Sequence, residues 1–525
     1  MNDADYIVVG SGINALVAAA MLGRKGRKVL LLERNDRIGG CLHTDEITEP
    51  GFVHDVMATT VVLFLLSPAY AALGKDLHAR GLEVAGTDTP TAVLLPDGRS
   101  AVFSTDRARN LAMLDGLAPG EGERFAGIMN GMGANAPFIF SLLGGSLWTG
   151  SMLANLMKET WRRGPRALGA FFGEALETAR AHLETAYRSE VTRALWAPWV
   201  LHTGLGPESA YSAQMAKVIA FAIEAAGCPI VRGGARNLVA AFRKLIEEQG
   251  GAFKVGADVE TILLEGGKAT GVRLAGGATL KASKGVICSV TPHQLYGRLL
   301  AGSELPAAVS DGVAAYRYGK GNMQIHYALS RPPRWKTPGL DKVALIHLTP
   351  GLDGVSRAAN EAERGVLPAV PTVCVGQPTA LDPSRAPDGK AILWLQLPEA
   401  PRQLKGDAAE AIAVPPDGRW DEATREAFAD RVEALLAGHI EGFRDTVMAR
   451  RSYSPGDIET LNINLVGGDP YGGYCGLDQF FLWRPFKTSV NHRTHVSGLF
   501  HIGASTHPGP GLGGGSGFLL GSRLK

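Results

Sequence analysis

The chain has little that would tie it to a disulfide scaffold, a structural metal or a nucleic acid. Its five cysteines, Cys41, Cys228, Cys288, Cys374 and Cys475, are scattered, with no Cys-x-x-Cys pair and no zinc-like spacing. That argues against a disulfide framework and against a metal centre, and it suits a reducing compartment such as the cytoplasm. Charge is nearly balanced, with 53 basic and 51 acidic side chains and no basic cluster interleaved with aromatics. Nothing therefore points to a nucleic-acid partner. No continuous apolar run reaches the roughly 18 residues that begin a membrane span. The first apolar run, from Tyr6 to Val9, is short and follows two aspartates, which marks a strand and not a secretory leader.

One stretch lacks charge altogether. Between Phe125 and Met157 there is no Asp, Glu, Lys or Arg, and Lys158, Arg162, Arg163 and Arg166 follow. Gly, Asn, Ser and Pro interrupt it too often for a membrane span. It is expected as an apolar helical part of a cap, packed in the core, buried between copies of a homo-oligomer, or dipping peripherally into a bilayer.

What is present in abundance is glycine, 67 residues of it, concentrated in signatures at both ends. Tyr6 to Val9 reads as a buried strand, Asn14 to Arg24 as an Ala- and Leu-rich helix stopped near Gly26, and Lys28 to Glu33 as a second strand. Between the first two lies Gly10-Ser11-Gly12-Ile13-Asn14-Ala15. This is the strand–turn–helix–strand context that a dinucleotide fingerprint requires. Gly10 permits the tight turn, Gly12 lets the backbone approach a pyrophosphate, and Ala15 allows close helix–strand packing. The helix start then offers free N–H groups to phosphate. Glu33 ends the second strand, where a carboxylate accepts bonds from ribose hydroxyls and disfavours a 2′-phosphate. Gly39-Gly40 suits a second close approach, with Cys41 beside it and Arg34 supplying positive charge. The closing segment runs Gly503-Ala504 through Gly511-Leu512-Gly513. A nucleotide that needs both ends of the chain is a long one, and FAD is the expected cofactor.

Further motifs lie between the two ends: Pro50-Gly51-Phe52-Val53-His54-Asp55, Gly233-Gly234 before a helix over 237–248, Val255 to Val259, and Asp382-Pro383-Ser384-Arg385-Ala386-Pro387-Asp388-Gly389-Lys390. Taken in order with the glycine signatures, they resemble the phytoene desaturase-like branch of the FAD-dependent amine oxidase superfamily. The resemblance covers nearly the whole chain. It is similar in particular to the pyridine nucleotide-disulfide oxidoreductase-like subgroup, although no Cys-x-x-Cys supports the disulfide part of that name. One departure is Val56-Met57-Ala58, where the family usually has glycine soon after the aspartate. The resemblance implies an α/β fold: a glutathione-reductase-like, Rossmann-type FAD domain, discontinuous over 1–60, 228–300 and 485–525. A mixed α+β substrate or cap domain would span 61–227 and 301–484. It also implies that Val259 meets the adenine end through its backbone, that Gly503-Ala504 meets the pyrophosphate and ribityl, and that a helix from near Leu512-Gly513 points at the flavin.

Ser505 to Gly517 contains no aromatic residue, whereas an amine oxidase of this superfamily is expected to set an aromatic pair beside its flavin. The expectation is therefore carbon–carbon oxidation of a largely apolar small molecule. Polyene isomerisation or saturation, amine oxidation and a non-catalytic flavin scaffold stand as alternatives. Hydride loss from one carbon requires proton loss from its neighbour, and His507 and His54 are the candidate bases. Each has a structural alternative, His507 holding the glycine-rich loop and His54 packing under the cofactor. With no second nucleotide fingerprint, oxygen or a quinone is the expected electron acceptor.

Overall fold

The computed structural model describes residues 3–525. β1 (Ala4–Val9) and β2 (Val29–Leu32) are parallel neighbours joined by α1 (Ile13–Gly23). α1 carries small apolar side chains on almost every face, and Ala15 to Ala20 are all buried, as befits a helix held between layers. The sheet continues through Ala252–Lys254 on one side. On the other it continues through Thr279–Ser289 and then Leu499–Ile502, with every one of these pairings parallel. Val259–Glu265 and Lys268–Leu274 extend it as an antiparallel meander. One sheet is thus assembled from three separate stretches of chain.

The last helix, Gly515–Arg523, lies directly on α1. Glycine makes the contact feasible: a Cβ on Gly517 would sit 1.9 Å from the Asn14 carbonyl oxygen. Ser516 Oγ bonds Asn14 Oδ1 at 2.9 Å and accepts from the Gly503 N–H at 2.9 Å. The two glycine-rich ends are therefore one packed unit.

A second sheet runs in the order Val447–Tyr453, Gly321–Leu329, Ala391–Ala400, Val373–Gly376, Leu345–Leu348, Thr91–Leu94, Ser100–Phe103. Its odd-numbered positions in the first strands, such as Met323, Ile325, Leu393 and Leu395, pack with Phe428, Val432 and Leu436 of the helix Glu422–His439. The opposite face meets helices Glu190–Leu201 and Ser212–Ala226 and closes over a cavity.

Two expected boundaries move. Val61, Phe64, Ala69, Leu73 and Leu77 pack into the core around α1, so 61–82 belongs with the nucleotide sheet. The chain leaves it at Val84–Ala85, which pairs with Ile230–Val231 on the return. Likewise Leu305, Val309, Val313 and Tyr316 pack against Ile7 and Val286, which assigns 301–316 to the same body. Apolar spacing identifies an amphipathic helix but not which of two cores it serves.

The uncharged stretch forms most of the helix Glu121–Gly144, a turn, and the start of Gly150–Arg163, followed by Pro165–Ala175. Phe125, Met129 and Phe138 are buried, whereas Trp148, Leu153, Met157, Trp161 and Phe172 are exposed. Among the described residues no helix is long and apolar enough to cross a membrane.

Candidate functional site

A cavity of about 600 Å³ opens where β1 and β2 end and runs up beneath the second sheet. Its lower wall is the glycine turn. Gly10 has φ +91°, and a Cβ there would stand 3.1 Å from the Ser289 carbonyl oxygen. Gly12 caps α1 without any side-chain cap, and a Cβ placed on it meets nothing within 4 Å. With Ile13 and Asn14 also on the wall, the unpaired N–H groups of the first helical turn are available to an anion. Glu33 closes one side. Its Oε2 accepts from the Ser11 N–H at 3.2 Å and Ser11 Oγ at 2.6 Å, and its Oε1 accepts from the Asn35 N–H at 3.0 Å. The carboxylate is thereby held at the end of β2, where a ribose would meet it.

Of the other expected contacts, Arg34, Gly40, Cys41, Val259, Gly503, Ala504, Gly511 and Leu512 all line the cavity. Ala15, Gly39 and Gly513 stand behind the wall. Gly39 (φ +122°) is a joint: its N–H donates to Ser11 Oγ at 3.1 Å, and a Cβ would come within 2.8 Å of the Leu42 carbonyl oxygen. Gly40 lies so close to Gly12 that a Cβ would be 3.0 Å from its Cα. The Val259 carbonyl accepts from Arg298 at 2.9 Å. Burial pushes the Cys41 thiol up to about 11, so it stays protonated at neutral pH. The final helix starts at Gly515 and not at Leu512-Gly513, because Leu512 (φ +58°) and Gly514 (φ +68°) are both left-handed.

Neither candidate histidine lines the cavity, which corrects both expectations. His507 Nε2 bonds the Gly145 carbonyl oxygen at 2.9 Å, tying the closing loop to the turn after the long cap helix. Burial lowers its pKa to about 4, leaving a neutral ring. His54 bonds Thr48 Oγ1 at 2.8 Å and packs edge-on against His326. Burial, then His326 and Arg385, hold its pKa well below the usual imidazole value. The contacts of each are those of its structural alternative.

Sequence reasoning missed how three of the internal motifs meet. Arg385, fully buried, donates from both terminal nitrogens to Asp55 Oδ2 at 3.1 Å, from Nε to Asp382 Oδ2 at 3.2 Å, and to the Val231 carbonyl at 2.7 Å. Asp55 also accepts from Thr44 Oγ1 and the Ala235 N–H, and Asp382 from the Gly233 N–H. This buried cluster fastens the cap strand's flank to the Gly233-Gly234 helix and the strand bearing Asp55. Asp55 in one motif and Asp382 with Arg385 in another were the available signal.

The cavity's charged wall residues are Glu33, Arg34, Asp36, Arg37, Asp258 and Arg298, all on the nucleotide-sheet side. The upper wall is built from Trp199, His202, Cys228, Leu345, Cys374, Trp394 and Tyr471, with the amides of Asn322, Gln324 and Gln396. His202 is neutral, burial lowering its pKa to about 4, and its Nε2 bonds Nε2 of His347 at 2.9 Å. With Cys374, these two rings bring three ligand-type atoms within 4.8 Å of one another. His347 Nδ1 has no hydrogen-bond partner, whereas a metal-bound imidazole almost always donates its second nitrogen to one. The trio fits a row of neutral polar groups better than a metal centre.

A parallel sheet carrying a glycine turn, with Glu33 at the end of β2 and a closing loop from the other terminus beside it, beneath a second sheet, is the architecture of a flavin oxidoreductase. A family model described as flavin containing amine oxidoreductase matches residues 16–426, and the chain belongs to that family. Its cofactor is FAD. The chain is 26% identical over 550 residues to the rat pyridine nucleotide-disulfide oxidoreductase domain-containing protein 2, covering 98% of this chain and 92% of that one. It is 26% identical over 511 residues to the zeta-carotene-forming phytoene desaturase of Myxococcus xanthus, covering 96% and 90%. Its fold superposes on the crystal structure of an oxidoreductase from Methanosarcina mazei with a TM-score of 0.62 at 16% identity, covering 99% and 100%.

Proposed function

We propose that this protein is an FAD-dependent dehydrogenase that forms a carbon–carbon double bond in a largely apolar small molecule. The observation that carries the reading is the segregation of charge. Every charged wall residue lies on the nucleotide side, and the cap side offers only apolar and neutral polar groups. An ammonium substrate would find no carboxylate there, and desolvating its charge would go uncompensated. The bound flavin supplies a hydride acceptor. The protein's own contribution is to grip the cofactor through the N–H groups of α1 and Glu33, and to enclose the substrate in a chamber that excludes water. The substrate gives up two electrons and two protons in all, which pass on to oxygen or a quinone. The desaturase named among the relatives supports the same class.

The reading includes a peripheral contact with an anionic bilayer in the cytoplasm. Leu153, Met157 and Trp161 recur every fourth position and are 61%, 65% and 94% exposed; Lys158 and Arg162 share their helix, and Arg166 lies at the start of the next one. Such a face suits a lipid surface. The turn leading into it is tied to the closing loop through His507 and to the segment before the last strand through the Trp148–Asn491 bonds. The five unpaired thiols support a reducing compartment. Flotation with phosphatidylglycerol vesicles tests the contact: wild type rises with the lipid and Met157→Glu/Trp161→Glu does not. Wild type that stays at the bottom contradicts it. Anaerobic titration of the holoenzyme with apolar polyenes and with amines tests the chemistry. Bleaching by the former supports the reading, and bleaching by amines alone overturns it.

A further inference from the structure

The ceiling of the chamber is a row. Gln324 lies directly opposite Gln396, Gln396 opposite Cys374, and Cys374 opposite His347, on four adjacent strands. Directly opposed residues share one face of a sheet, so the four side chains form a polar stripe across three strand spacings, about 14 Å long. His202 extends it through its bond to His347, and Trp199 packs on both imidazoles. The alternate positions are apolar and face the other way into the core: Met323 and Ile325 on one strand, Leu395 and Leu397 on the next.

The stripe is incompletely satisfied from within the protein. Gln324, only 4% exposed, has its Oε1 buried with no hydrogen-bond partner, and at the other end Trp199 Nε1 is also buried without one. A polar group left unpaired in a buried position is costly. A pure hydrocarbon filling the chamber would leave both groups unpaired. A hydroxyl both donates and accepts, so it serves a glutamine amide in either orientation.

We propose that the substrate is a hydroxyl-bearing, otherwise apolar molecule, with its oxygen read by the stripe at Gln324, and not a bare hydrocarbon. This rests on the reading that the chamber beneath the second sheet holds the substrate. It makes Gln324 and Gln396 specificity-determining residues, because a site built to bond a hydroxyl discriminates strongly against the analogue that lacks it. The absence of any charged group along the stripe keeps a carboxylate or an ammonium from taking the same place.

The test uses the FAD-loaded enzyme and two matched pairs of probes, limonene with perillyl alcohol and a C20 isoprenoid hydrocarbon with geranylgeraniol. Binding is read from the flavin absorption shift and from quenching of tryptophan fluorescence, and reduction is read separately from anaerobic bleaching. In at least one pair the alcohol is expected to bind tighter than the hydrocarbon by about tenfold or more. Gln324→Leu is expected to erase that ratio while leaving FAD content unchanged, and Gln396→Leu to reduce it. Equal or tighter binding of the hydrocarbon in both pairs, failure of both alcohols to bind, or a ratio unchanged in Gln324→Leu would overturn the inference. Bleaching by a hydrocarbon with no preference for alcohols would sink the inference and leave the dehydrogenase reading intact. Preferential alcohol binding without any bleaching would do the reverse.

Discussion

Replacing Arg385 by methionine removes the cation from the buried cluster that joins the cap to the nucleotide domain. The guanidinium makes three hydrogen bonds to carboxylates, all at 3.1–3.2 Å, and one to a backbone carbonyl. Its two partners, Asp55 and Asp382, are 1% and 0% exposed. Methionine fills much of the volume, so packing loss is minor and the cost is that of Asp55 losing its counter-ion and Asp382 keeping only Arg232 at 3.9 Å, about 3–5 kcal/mol. Lysine would not restore it, because a point charge cannot bridge two carboxylates as the planar fork does. The measurement is urea denaturation followed by release of bound flavin, which isolates the nucleotide domain from the cap. Acid should expose the defect early. Burial pushes the Asp382 carboxyl up, but the Gly233 N–H, Ser384 and Arg385 outweigh it and hold it below the usual range. A carboxyl depressed in the folded state contributes stability above its unfolded pKa and loses it as pH falls through the folded value. Without Arg385 that loss begins at higher pH. A variant that loses less than about 1 kcal/mol, with an unshifted acid transition, would refute the reasoning, since a buried pair cannot be broken so cheaply.

Gly12→Ala should fold with a melting temperature close to that of the wild-type apoprotein, because a Cβ there meets nothing within 4 Å, yet it should purify with little or no yellow colour. Retained flavin would show that the phosphates pass elsewhere. Glu33→Gln should weaken FAD binding by roughly 1.5–3 kcal/mol, the worth of bonds to a charged group, with a residual part from Ser11 and Asn35; equilibrium dialysis reads it. Melting temperature should fall steeply as pH drops from about 6.5 towards 4. His202 and His507 are lowered to about 4 and His326 and His492 to about 3 by burial, so the unfolded chain binds protons that these rings refuse. A melting temperature flat over that window would contradict the buried neutral imidazoles.

The nucleotide half was legible because its signals are local. Gly10, Gly12 and Glu33 each answer to a backbone conformation or a contact set within one strand–helix–strand unit, and all three lie on the cavity wall. The last helix was displaced by three residues because left-handed Leu512 is not a conformation that a leucine advertises. Residues 61–82 went to the wrong body since amphipathicity names a face and not its partner. His54 and His507 drew notice as titratable groups in motifs, but burial made them neutral packing elements. The chamber's ceiling had a visible sign: in Gly321–Leu329, Asn322, Gln324 and His326 alternate with Met323, Ile325 and Tyr327, and in Ala391–Ala400 Trp394 and Gln396 alternate with leucines. Period-2 alternation on strands buried on both faces marks a polar cavity wall. Strand order, which brings Cys374 and His347 into the same row, is long-range information that no local pattern carries.

The most direct test of the account is the visible spectrum of the purified protein, followed anaerobically as an apolar candidate substrate is added. The account predicts a bound-flavin band near about 450 nm that bleaches on addition and recovers with oxygen or a quinone. A protein that carries no flavin after reconstitution with FAD would contradict it.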